Sequence, residues 1–251
     1  VQEIRLLLSA VQYFTRVPMP RWVGHSGAQL SGTTRYLPAI GIAVGAVASA
    51  VFWAASLVFP AVIAAILSIA TTAALTGALH EDGFADTMDG LGGGHTRERA
   101  LEIMKDPRIG AFGALALMLL LALKIAVLSA FPLTAIVVTL IAGHALSRWC
   151  AVLLVWQLPY ARADSSTRAK PVVERITLAD VAIASLFGIA PLAACGWLGL
   201  LGALAAVAIT ALLGIWYARR LGGYTGDTLG ATQQLSEAAF YLTMLAAWNS
   251  H

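Results

Sequence analysis

Residues 111–130, AFGALALMLLLALKIAVLSA, carry one charged side chain in twenty positions. At about 1.5 Å of rise per residue, such a helix spans the ~30 Å hydrocarbon core of a bilayer. Comparable stretches occur at about 37–59, 61–79, 133–156, 179–195 and 198–217, with a shorter one at 237–249. Only 12% of the chain is charged and 59% is hydrophobic, where a soluble domain carries about 25% charge. The pattern predicts an all-α, polytopic integral membrane helix bundle of six to seven transmembrane helices. Residues 1–251 read as one transmembrane domain in contact with lipid.

The charges sort by side. Of 16 Lys and Arg, Lys124 and Arg148 fall inside predicted spans. The other fourteen fall before the first span, in 80–110, in 157–178 and at Arg219 and Arg220. With alternating spans these regions share one face, and the positive-inside rule makes it cytoplasmic. The expected location is a bacterial or archaeal cytoplasmic (inner) membrane with the working surface inside. Residues 1–20 alternate Glu3, Arg5, Gln12 and Arg16 with leucines and read as an amphipathic segment. No basic run interleaved with aromatics suggests nucleic acid. Cys150 and Cys195 lack disulfide or zinc spacing and read as apolar filler. A homo-oligomer is compatible with the sequence, which does not set the oligomeric state.

Against this apolar background, HEDGFADTMDGLGGG at 80–94 concentrates four carboxylates and five glycines. Asp82, Asp86 and Asp89 are spaced i, i+4, i+7, within about 60° of arc on a helix. Three carboxylates on one stripe repel unless a cation lies between them. An all-oxygen donor set suits Mg2+, which binds through carboxylates and substrate phosphates. Asp82, Asp86 and Asp89 are therefore the candidate metal ligands and catalytic residues, Asp89 also being a candidate general base. The alternative is a solvated acidic loop. Glu81 and His80 fall off the stripe and read as flanking, although His80 can reach a phosphate. The next segment, HTRERALEIMKDPRIG, supplies Arg97, Lys105, Asp106 and Arg108 as candidate substrate contacts, the cations neutralising phosphoryl charge. A surface helix with internal ion pairs is the competing reading.

His144 and Arg148 lie i, i+4 toward the cytoplasmic end of the fourth span. Intramembrane ionisable groups are expensive and suggest function. Arg148 either reaches phosphate or snorkels to the interface. Lys124, deeper in the third span, is expected to pair with a polar neighbour or snorkel.

The run HEDGFADTMDGLGGGHTRERALEIMKDPRIGAFG at 80–113 resembles the signature region of the cobalamin synthase (adenosylcobinamide-GDP ribazoletransferase) family. FTRVPMP at 14–20 and GGYTGDTLGATQQLSE at 222–237 fit the same family, in order. Glu81 departs from its pattern, which has an aliphatic residue after the His. The resemblance implies a Mg2+-dependent enzyme, a phosphotransferase for substituted phosphate groups. Its substrates would be adenosylcobinamide-GDP and α-ribazole or the 5′-phosphate. The ribose 3′-hydroxyl would attack the phosphorus attached to the corrinoid, GMP would leave, and adenosylcobalamin or its 5′-phosphate would form. The resemblance marks Asp227, in a Gly-rich cytoplasmic loop expected over 219–236, as a substrate or metal contact; a helix C-cap and turn is the alternative. Gln233, Gln234 and Glu237 bind substrate or cap the last helix. By the same resemblance Arg16 and Arg35 line the site, or else anchor at the interface. Two other readings compete: another membrane Asp–Mg–diphosphate transferase, similar to CDP-alcohol phosphotransferases, or a transporter built on Lys124, His144 and Arg148.

Overall fold

A computed structural model of the chain describes residues 2–24, 32–162 and 176–250. Among them ten α-helices occur and no strand. They are α1 (Gln2–Phe14), α2 (Leu37–Ser56), α3 (Ala61–Thr76), α4 (Leu79–Gly93), α5 (Arg97–Ile103), α6 (Ala111–Ser129), α7 (Leu133–Gln157), α8 (Leu178–Ile189), α9 (Gly196–Leu221) and α10 (Gly226–Trp248). The topology residues Arg168, Lys170 and Arg175 lie outside the described residues.

The long apolar helices leave large hydrophobic side chains outward, among them Leu115, Met118 and Leu119 on α6 and Leu200, Leu204 and Leu212 on α9. That is the arrangement of a bundle solvated by lipid. α7 is the exception, with most of its 25 residues buried between α2, α8, α9 and α10. α2 approaches it through Gly41 and Gly45; a Cβ on Gly45 would lie 2.7 Å from the Ile141 Cα. Small residues permit this backbone contact, the usual source of helix affinity in lipid.

Four segments among the described residues are long and apolar enough to cross a membrane, or five if a bent pair counts as one. Six to seven were expected, and three features account for the difference. First, the predicted span 61–79 is cut short: α3 ends at Thr76, and α4 leaves it at 90°. Gly77 (φ 68°) and Ala78 (φ 56°) are both left-handed, which ends α3, and Ala78 is strained there. Their N–H groups donate to the last carbonyls of α3 (Ala78 N to Ala73 O, 2.7 Å). We read α4 as a helix along the membrane edge, outside the crossings. Second, α8 has only 12 residues and continues through a 3-10 turn, Ala190–Cys195, into α9. The combined run of 44 residues is about twice one crossing, broken at Gly196 (φ 61°).

Third, the expected Gly-rich loop over 219–236 is mostly helix. α10 begins at Gly226 and runs 23 residues, so the loop shrinks to 222–225, and the predicted short helix 237–249 is the second half of α10. Thr225 caps it, its side chain accepting from Thr228 N while Thr225 N donates to Thr228 Oγ1 (2.8 Å). The polar residues that read as a loop (Thr228, Thr232, Gln233, Gln234 and Ser236) are buried inside the bundle, as is Glu237 beside them.

Candidate active site

The segments expected to carry chemistry meet at one end of the bundle. α4 packs across the N-terminal half of α10, and the contact depends on Gly83. A Cβ there would lie 3.0 Å from both the Cα and the carbonyl oxygen of Asp227. Asp227, in the first turn of α10, is thereby brought against α4. It interacts electrostatically with Asp82 and Asp86. Burial, then Asp82, Asp227 and Asp89, push the Asp86 carboxyl up to about 6. Burial also raises Asp227, against the pull of Arg162. Asp82 is exposed and Asp86 half-buried, so the cluster opens outward.

Asp89 does something else. Its Oδ2 accepts from Gly110 N (2.7 Å) and its Oδ1 from Gly113 N (2.8 Å). Both oxygens of a buried carboxylate thus cap the first turn of α6, where free amides and the helix dipole favour an anion. The three-aspartate clamp expected from the spacing is not assembled. Among the described residues no three His, Cys, Asp or Glu side chains gather into a metal-binding group. Asp82 and Asp86 instead interact electrostatically with Asp227, a carboxylate from another helix.

The expected cations take several roles. Arg97 donates from Nε to Leu221 O and from Nη2 to Ala161 O, both at 2.7 Å. It ties the end of α9 to the segment after α7. Arg108 is highly exposed and grips Asp106 through two hydrogen bonds of 2.9 and 2.7 Å, which hold the Asp106 carboxyl at about 2. Lys105 is exposed. With Arg97, Arg162, Glu98 and Glu102 it borders a groove of about 240 Å³. Arg16 lies beside the α3–α4 bend: its N–H donates to Leu75 O (2.7 Å) and its guanidinium packs against Gly77. Arg35, in the 3-10 turn Thr34–Tyr36 that precedes α2, pairs with Glu3 (2.6 Å) on α1 and Asp180 (3.1 Å) on α8.

Arg148 neither snorkels nor reaches the aspartates. It is 2% exposed and donates to His144 O (3.0 Å) inside the bundle. Lys124 is paired, as one of its two readings required: its Nζ meets Glu237 (2.6 Å) and Gln234 Oε1 (2.7 Å). The other Glu237 oxygen meets His144 Nδ1 (3.0 Å) and Gln233 Nε2 (2.6 Å). His80 and Glu81 face this buried network from α4, with Gln234 Nε2 donating to Glu81 Oε1 (3.0 Å). The network encloses a cavity of about 20 Å³, room for about one water.

Sequence reasoning missed two cations. Arg162 pairs with Asp227 (Nη2–Oδ2, 2.6 Å). It is placed by two backbone hydrogen bonds, Ala161 N to Tyr224 O and Tyr224 N to Pro159 O. Arg220 donates to Leu91 O and Gly94 O at the end of α4. Their position at span ends was visible, their partners were not.

The cobalamin-5-phosphate synthase family model matches residues 6–245. An adenosylcobinamide-GDP ribazoletransferase of Leptothrix cholodnii is 45% identical, covering 98% of this chain and 97% of the relative. One of Shewanella amazonensis is 41% identical over 99% and 97%, and one of a Polaromonas species is 40% identical over 96% of each. No solved structure matches the chain. With a match over nearly its whole length, the chain belongs to the cobalamin-5-phosphate synthase family.

Proposed function

We propose that the protein is a membrane-bound, Mg2+-dependent transferase acting at the cytoplasmic face. It joins adenosylcobinamide-GDP to α-ribazole or its 5′-phosphate and releases GMP. The observation that carries this reading is the α4–α10 contact at Gly83, which brings Asp227 against the helix of Asp82 and Asp86 and pairs it with Arg162, at the border of a groove that Arg162 shares with Arg97, Lys105, Glu98 and Glu102. Carboxylates for a hard cation thus adjoin guanidinium and ammonium groups for phosphates.

The donor chemistry fits the metal. Mg2+ uses one or two carboxylates and completes its shell with water and phosphate, so a preassembled cage is not required. Crowding of Asp86 by Asp82, Asp227 and Asp89 is the charge pattern a divalent ion relieves. Asp82 and Asp86 would hold it, with Asp227 facing them from α10; Asp89 positions α6. Bound there, Mg2+ supplies neutralisation of diphosphate charge.

The rest falls to the chain. The 3′-hydroxyl oxygen forms a bond to the phosphorus attached to the corrinoid, the bond from that phosphorus to GMP breaks, and the hydroxyl proton passes to a cluster carboxylate. Displacement at a diphosphate needs alignment and charge stabilisation more than covalent chemistry. Lys105 and the neighbouring arginines supply the second, and the close α4–α10 contact supplies the first. The transporter reading loses its support, because Lys124, His144 and Arg148 are engaged with one another and with Glu237.

The test supplies detergent-solubilised protein with adenosylcobinamide-GDP, α-ribazole and Mg2+. GMP and a cobalamin product should appear in equal amounts, and a chelator should stop both. No GMP with either form of the ribazole, or undiminished turnover under chelation, refutes the reading.

A further inference from the structure

We propose that Glu81 is a positioning residue for the aspartate stripe. Tied to Gln234 on α10, it fixes the rotation of α4 and so the direction in which Asp82 and Asp86 point. The inference rests on the function proposed above and concerns a position at which the signature run departs from its pattern.

Four observations carry it. First, α4 begins under strain. It leaves α3 at 90° directly after Ala78, a non-glycine residue at φ 56°, and such a conformation persists only where surrounding contacts hold it. Second, contacts that hold this turn come from α10. Gln234 Nε2 donates to Glu81 Oε1 (3.0 Å). Gly230 admits the backbone of the same turn, since a Cβ there would lie 3.1 Å from His80 O and 3.3 Å from Gly83 Cα. The glycine sets how near α4 comes; the Glu81 side chain sets how it is rotated. Third, the buried network needs a second negative charge. It holds two buried cations, Lys124 and Arg148, against one fully buried carboxylate, Glu237, among the described residues. Lys124 meets Glu237 at 2.6 Å, and Glu81 is the further carboxylate whose charge acts on Arg148. A buried cation without a counter-charge is expensive. Fourth, Glu81 immediately precedes Asp82. At about 100° per residue, Asp82 and Asp86 lie about 100° and 140° around the axis from it. Holding Glu81 inward against α10 therefore turns both toward the open side, where Asp82 is exposed and Asp86 half-buried.

The test uses the full chain in detergent with adenosylcobinamide-GDP, α-ribazole and Mg2+. Glu81→Leu breaks the tie from α4, and Gln234→Leu breaks it from α10. Each should lower kcat by about 10- to 100-fold and leave KM for both substrates unchanged. An exchanged pair, Glu81→Gln with Gln234→Glu, remakes the bond with the carboxylate on α10 and should recover most of the lost kcat. A purely structural role would leave kcat per folded enzyme at the wild-type value. A Glu81 that touched substrate or metal would raise KM or the Mg2+ requirement, and a carboxylate on α10 would not replace it. Wild-type kcat in Glu81→Leu, a raised KM with kcat kept, or an exchanged pair as slow as Glu81→Leu overturns the inference. Melting temperatures of wild type, Glu81→Gln, Gln234→Glu and the exchanged pair need no turnover. The pair should melt above the value that adding its two single changes gives; additive changes overturn the tie. If the cycle is coupled but wild type never releases GMP from adenosylcobinamide-GDP, the proposed reaction fails and the tie stands.

Discussion

Asp89 shows how one side chain can satisfy a motif and yet serve the fold. Its spacing places it on the stripe with Asp82 and Asp86, but α6 begins with Gly110 beside it, and the amides of Gly110 and Gly113 claim both oxygens. Removing a buried acceptor leaves those donors unsatisfied, at about 1–3 kcal/mol each. Asp89→Ala should therefore lower the melting temperature in detergent by roughly 5–20 °C, using ~2–4 °C per kcal/mol for a chain of this size. Asp89→Asn, which keeps one acceptor oxygen, should lose less. Asp82→Asn, on an exposed side chain, should melt like wild type while losing most turnover. An Asp89→Ala protein with unchanged melting and no activity would return Asp89 to the chemistry. The spacing made the stripe legible. Which of its members faces a ligand depends on glycine amides 21 and 24 residues away, and no periodicity reports that. Arg162 was hidden for the same reason, since its partner lies 65 residues on.

At the scale of elements, α10 organises the site. Its first turn presents Asp227 to α4, and its middle is fixed by Glu237, which engages Lys124 from α6 and His144 from α7. The sequence reading broke this helix in two because its buried face is polar. Hydropathy falls across Thr228–Glu237, and the glycines of 222–230 suggest a loop. The apolar helices were legible because burial in lipid selects the same residues at every position. Two variants test the element. Gly83→Ala inserts a methyl group 3.0 Å from the Asp227 backbone, so α10 must shift by a few tenths of an ångström or more. Overpacking of this kind costs about 1–3 kcal/mol, and a small misplacement of reacting groups can cost about 10²-fold in rate. Turnover should drop by about one to two orders of magnitude with modest loss of stability; full activity would mean that the α4–α10 contact does not position Asp227. Glu237→Gln leaves Lys124 buried without its counter-ion, a change worth about 3–5 kcal/mol. Its melting temperature should fall by about 10 °C or more, and Glu237→Gln combined with Lys124→Met should recover much of it. Equal melting of single and double variants would show that the pair is not coupled.

On the scale of the whole molecule, the charged groups of the site lie at one end. Asp82, Asp227, Arg97, Arg162 and Arg220 are linked across α4, α9, α10 and the segment after α7, so they share one end of the bundle. The opposite end is a cluster of Phe52, Phe131, Leu192, Phe240 and Met244 closed by apolar turns. A molecule so divided has one orientation consistent with the retention of Lys and Arg in the cytoplasm. The substrates proposed for it are charged nucleotides that a bilayer excludes, and the proposed cytoplasmic position of the groove would meet them there. A cysteine at Glu98, exposed beside the groove, and one at Val58, 75% exposed in the turn between α2 and α3, report the two ends. Native Cys150 and Cys195 are first replaced by alanine, which suits their apolar surroundings. A membrane-impermeant maleimide should label Val58→Cys in intact spheroplasts and Glu98→Cys only in inverted vesicles. The reverse pattern would put the aspartates outside, away from cytoplasmic nucleotides. It would defeat the proposed reaction while leaving the fold untouched, because every contact that builds the bundle is indifferent to which way it faces.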